Sequence, residues 1–123
     1  MLNHVSIGVA DIARARDLYD AALAPLGYRC LDSGEAHLGY GADAIGLWLL
    51  KEEGVSPGDP RPGLHLCFEA PDRSAVAAFH EAALARGGRD NGAPGLRPDY
   101  GADYFAGFVI DPDGYRIEAY CGG

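Results

Sequence analysis

The chain has 123 residues, 48% of them hydrophobic and 23% charged, which is enough for one globular core and too apolar for a disordered segment. Ten Lys and Arg against eighteen Asp and Glu leave a net charge of −8, which repels phosphate backbones and anionic lipid and argues against nucleic acid or a membrane surface as partner. The apolar runs fall short of a membrane span, the first residues lack the basic start of a secretory signal, and three cysteines at wide spacing suit neither a disulfide framework nor a CxxC metal site, so a cytoplasmic protein with reduced thiols is expected.

Residues 2–9 alternate as a strand does, with Val5, Ile7 and Val9 on one side and His4, Ser6 and Gly8 on the other. Asp11 is placed to cap a helix over 12–26, whose apolar stripe is Ile12, Ala15, Leu18, Tyr19, Ala22 and Leu23, with Pro25 and Gly27 at its end. Strands over 28–32, 36–40 and 44–50 follow, separated by turn residues, so the order is βαβββ. Residues 51–62 are polar and hold Pro57, Pro60 and Pro62, the composition of a linker.

The pattern then restarts. Leu64, Leu66 and Phe68 alternate with His65, Cys67 and Glu69, and Asp72 caps a second helix with Ala75, Val76, Phe79, Ala83 and Leu84 as its stripe, ended by Gly87-Gly88. Residues 91–102, with Gly92, Pro94, Gly95, Pro98 and Gly101, read as a long loop that can fold over a cleft as a lid carrying Arg97 and Tyr100. Strands over 104–111 and 115–120 meet at the turn Asp111-Pro112-Asp113-Gly114. His37 and His80 are read as surface residues.

Sliding the chain by 61 positions lays His4 on His65, Asp11 on Asp72, residues 21–24 on 82–85 and Gly27 on Gly88, which points to an internal duplication. The last strands match at a larger offset of 70, where Trp48 meets Glu118. The expected fold class is therefore α+β, one domain built from a first module over 1–50, a linker over 51–62 and a second module over 63–123.

If the helices cover one face of each sheet, the other faces must cover each other or enclose a cavity. His4, His65 and Glu118 all leave the helix-packed side by strand phase, so two imidazoles and one carboxylate can converge there. Such a set holds a divalent transition metal and leaves coordination positions open. Arg116 and Tyr120 share the phase of Glu118 and can line the same cleft, the arginine holding an anionic group of a substrate. Trp48 can form an aromatic wall. Cys67 reads as a small buried hydrophobe.

The opening strand Asn3-His4-Val5-Ser6-Ile7, the strand Gly63-Leu64-His65-Leu66 and the closing hairpin Asp111-Pro112-Asp113-Gly114-Tyr115-Arg116-Ile117-Glu118 resemble the vicinal oxygen chelate superfamily, which groups glyoxalase I, fosfomycin and bleomycin resistance proteins, methylmalonyl-CoA epimerase and extradiol dioxygenases. The resemblance implies two βαβββ modules whose curved mixed sheets form a metal cleft, with His4, His65 and Glu118 at the family's ligand positions. It implies a homodimer, a small-molecule substrate, and a divalent ion that could be iron, manganese, nickel, cobalt or zinc. The fourth ligand that glyoxalase I carries in the last strand of its first module is missing, because that strand reads Ile45-Gly46-Leu47-Trp48-Leu49 and an indole has only a donor to give. Glyoxalase I activity itself is therefore not expected. Isomerase, lyase, dioxygenase and transferase chemistry on an oxygen-bearing substrate remain open. The alternative is a non-catalytic protein that sequesters a drug or metabolite, as in the bleomycin resistance branch, for which the negative charge and Trp48, Tyr100, Tyr104 and Tyr120 are suited.

Overall fold

The computed structural model describes residues 1–54 and 64–123. Most of the expected linker thus lies outside the described residues. The first module runs β1 (Val5–Val9), α1 (Ile12–Leu23), a 3-10 turn (Ala24–Leu26), β2 (Arg29–Ser33), β3 (His37–Gly41) and β4 (Ile45–Lys51). The second runs β5 (His65–Glu69), α2 (Arg73–Ala85), β6 (Arg89–Leu96), β7 (Phe105–Ile110) and β8 (Arg116–Cys121).

The helices start where a carboxylate can satisfy the free N–H groups of a first turn. Asp11 accepts from Arg14 N at 3.0 Å, and Asp72 accepts from Ala75 N at 2.8 Å. The first helix stops at Leu23, the end of its apolar stripe and three residues short of the expected 12–26, because Pro25 tightens the chain into the 3-10 turn and Gly27, at φ +92°, reverses it. Ala15, Leu18, Tyr19, Ala22 and Leu23 are buried from α1, and Val76, Phe79 and Ala83 from α2.

Both sheets have the same plan. Their strand orders are β1-β4-β3-β2 and β5-β8-β7-β6, with the first pair parallel and the others antiparallel. Ile7, Val9, Leu38 and Leu49 bury the helix side of the first sheet, and Val109, Ile117 and Ala119 that of the second. The alternation read from the sequence is therefore the alternation of the core.

One expectation needs correction. Residues 91–96 are not a loop but belong to β6, the edge strand of the second sheet, paired with β7 through Arg89↔Ile110, Gly92↔Phe108 and Leu96↔Phe105. Gly92, Pro94 and Gly95 misled because they fall at two register shifts, between Asp90 and Gly92 and between Gly92 and Gly95. Bulged edge strands tolerate these residues, since no neighbour needs every N–H.

α1 packs on α2. Polar ties then fix the modules to each other: Tyr115 OH donates to Gly8 O at 2.7 Å, Ala10 N to Asp113 Oδ1 at 2.9 Å, and Tyr28 OH to Glu69 O at 3.1 Å. The centre of this joint is Asp111, buried in the last turn. Its Oδ2 accepts from Tyr19 OH at 2.7 Å, and its Oδ1 from the backbone N–H groups of Tyr115 and Asp113 at 2.8 and 3.0 Å. Burial holds the Asp111 carboxyl above the usual carboxylate range despite those donors. Among the described residues, no strand pairing joins the two sheets, and no helix covers the open face of either, the one away from α1 or α2.

Candidate functional site

On the open face of the second sheet, register sets the neighbours. Arg116 pairs with His65, and Glu118 lies between Cys67 on β5 and Phe108 on β7. Glu118 is 4% exposed although it leaves the core side, because the side chains around it form a lid of their own. Its Oε1 is 2.7 Å from His65 Nε2, and its Oε2 accepts from Tyr104 OH at 2.6 Å. Both carboxylate oxygens are therefore committed. Burial, then the Glu118 hydrogen bond, push the Tyr104 phenol well above its ordinary value, so it stays a donor. Tyr104 stacks on Tyr120 at 4.2 Å between ring centroids and meets Tyr100 edge-on at 5.3 Å.

Cys67 is not the buried hydrophobe expected of it: it is exposed at the sheet surface beside Glu118. Loss of water around the sulfur and the carboxylate together push its thiol up to about 12, so it carries no nucleophilic thiolate at neutral pH.

His4 lies apart from this pair. Its Nδ1 is 2.7 Å from Asn3 Oδ1, and it is exposed at the start of the first module. It nevertheless borders the same cavity as His65, a space of about 490 Å³ between the modules that is walled by Leu23, Tyr28, Tyr40 and Phe68. Of the three candidate metal donors, the structure thus brings His65 and Glu118 into contact and leaves His4 across a shared cavity. Among the described residues, no three His, Cys, Asp or Glu side chains are close enough to hold an ion. The donor chemistry of the pair fits a divalent transition metal; the full set is not assembled within the chain as it stands.

The remaining expected site residues divide. Arg116 and Tyr100 line a second, polar cavity of about 370 Å³ that opens on His65. Tyr120 is half-buried in the aromatic group around Tyr104. Trp48 is on the open face of the first sheet, next to Ser6 and Gly39 in register, with His37 edge-on at 6.1 Å. It sits in the first sheet where Glu118 sits in the second, since Ser6 is the repeat's counterpart of Cys67. His80 is not a surface residue: it is 8% exposed, with Nε2 2.9 Å from Asp90 Oδ1, a partner that β6 brings over α2.

Sequence reasoning left Tyr104 without a role in the polar cluster. The signal was available, because Tyr104 shares the even-numbered phase of Phe108 and so falls on the face of Glu118.

Two tandem βαβββ units, each with a helix on one face of its sheet and the second carrying a polar cluster on the other face, define a two-module α+β class of protein. The chain belongs to the Glyoxalase/Bleomycin resistance protein/Dioxygenase superfamily, whose sequence profile matches residues 1–119. Among solved structures, a glyoxalase/bleomycin resistance protein from Albidiferax ferrireducens T118 is 28% identical with a TM-score of 0.83, covering 98% of this chain and 97% of that one. A glyoxalase-related enzyme from Fulvimarina pelagi (20% identity, TM-score 0.75, 98% and 86% coverage) shares the fold. So does a V278E mutant of glyoxalase I from Zea mays, at 22% identity and TM-score 0.72, with 97% of this chain and 45% of that chain covered. No curated protein matches the chain. No helix among the described residues is long and apolar enough to cross a membrane.

Proposed function

We propose that the protein is a divalent-metal-dependent enzyme acting on a small oxygen-bearing substrate, with His65, Glu118 and His4 as its protein donors. The observation that carries the reading is the contact of His65 Nε2 with Glu118 Oε1 at 2.7 Å beside an open cavity. An imidazole and a carboxylate meeting there share one proton that a cation can displace. When bound, the ion would supply Lewis acidity to a substrate oxygen.

The chain's own residues do the rest. Tyr104 holds Oε2 of Glu118, which fixes the carboxylate's rotation and leaves Oε1 to His65. Arg116, beside His65 in register, is placed to orient a substrate. The Tyr104 ring is itself held against Tyr120, which keeps the phenol on the carboxylate. Trp48, at the first module's counterpart of Glu118, offers no lone pair, so glyoxalase I activity is not part of the proposal. The homodimer implied by the resemblance belongs to the same reading, since a second copy would cover a sheet face that one chain leaves open.

Titration of metal-free protein with Co(II), followed by visible absorption, tests this. Saturable binding that His65→Ala and Glu118→Ala both abolish is expected. Absence of binding, or binding that Glu118→Ala leaves intact, would instead favour a metal-free protein that sequesters its ligand in the apolar cavity.

A further inference from the structure

The polar cavity beside His65 is unlike the rest of this acidic chain. Its walls include Arg97, Arg116, Asn91, Tyr100 and Phe108, and no carboxylate is among the described residues that line it. In a protein of net charge −8, two of the ten cationic side chains meet in one space of about 370 Å³.

Arg97 is seated there by construction. Its guanidinium lies over the Phe108 ring at 5.2 Å, and the same ring stands 6.0 Å from that of His65. Nη2 donates to Ala93 O at 2.6 Å, which pins the fork on the β6 side. The channel that Arg97 occupies exists because β6 has glycine at two places. A Cβ on Gly92 would meet Phe108 Cδ2 at 2.9 Å and Arg97 Nη2 at 3.2 Å, and one on Gly95 would meet Arg97 Nη1 at 3.2 Å. Gly92 also has φ +148°, which an L side chain rarely adopts. The two bulges and two glycines that hide β6 in the sequence are thus what lets an arginine lie flat on Phe108.

We propose that this cavity is an anion subsite, where Arg97, with Arg116 on the same wall, grips the carboxylate or phosphate of a small, partly aromatic molecule that packs on Phe108 and Tyr100 and reaches toward His65. A planar guanidinium held by its own backbone contact and by an aromatic ring gives up little freedom when it takes an oxyanion. The cavity is too small for a macromolecular partner. The inference names the substrate class of the site proposed above and rests on that reading for its chemistry, though binding itself does not require the metal.

Benzoate, phenyl phosphate and the neutral benzamide are titrated into the full chain in the presence of a chelator, observing the arginine Nε–H and backbone N–H resonances. The expected result is saturable movement of the Arg97 and Arg116 signals with benzoate or phenyl phosphate and none with benzamide. The tighter of the two anions identifies the group as carboxylate or phosphate. Arg97→Gln should weaken binding about tenfold or more, the loss of a charge-assisted contact. Gly95→Val, which pushes on Arg97 without removing its charge, should weaken binding while the spectrum stays dispersed. Equal binding of benzamide, an unchanged affinity in Arg97→Gln, or shifts confined to other parts of the chain would overturn the proposal. Because the chelator removes metal from the assay, failure here leaves the Co(II) result standing, and the converse holds too.

Discussion

His65 and Glu118 are joined at 2.7 Å across neighbouring parallel strands, and the other carboxylate oxygen is held by Tyr104 at 2.6 Å. The pair is set by register, because β5 and β8 pair His65 with Arg116 and Cys67 with Glu118, so imidazole and carboxylate meet diagonally on one face. Removing only the phenol oxygen leaves a buried carboxylate short of a donor. Tyr104→Phe should therefore destabilise the fold by about 1–2 kcal/mol in urea unfolding. A change indistinguishable from zero would mean that Glu118 does not depend on Tyr104.

Stability should also report on Asp111. Burial raises its carboxyl pKa in the folded state, so the folded chain holds that proton more tightly than the unfolded one. The contribution is fully present below the unfolded value of about 3.9 and is lost as pH rises through the folded value. Asp111→Asn can keep the backbone donors on its side-chain oxygen and cannot ionise. The unfolding free energy of the parent relative to Asp111→Asn should fall as pH rises above about 4. A difference that is flat, or that rises, contradicts this.

Two glycines beside the larger cavity make opposite predictions. A Cβ on Gly41 would run into the carbonyl oxygen of Ala44, where β3 and β4 shift register, and backbone cannot swing away. Gly41→Ala should lower the unfolding free energy by more than about 2 kcal/mol. Gly46 has nothing within 4 Å of such an atom, so Gly46→Ala should stay within about 0.5 kcal/mol of the parent. Thermal melts of the two variants side by side make the comparison.

The sequence was most informative where periodicity and capping act locally. The alternation of β1 and β5 and the capping aspartates Asp11 and Asp72 repeat at one spacing, and the two sheets have one topology for that reason. The strand phase of Glu118 correctly took it off the core side. Other features depend on partners distant in the chain. β6 was hidden because Gly92, Pro94 and Gly95 compose a loop by propensity, and only the edge position and the seat of Arg97 explain them as strand. The burial of His80 followed from the same omission, since Asp90 on β6 covers it. His4 leaves the core side as its phase requires, yet strand phase says nothing about the distance between two sheets that, among the described residues, share no strand pairing.

The direct test of the central proposal is the divalent metal content of the protein purified without added ions, measured by elemental analysis alongside His4→Ala, His65→Ala and Glu118→Ala. The proposal predicts bound transition metal in proportion to the chain, lost in each of the three variants. A parent free of metal, or a Glu118→Ala variant that retains as much as the parent, would contradict it.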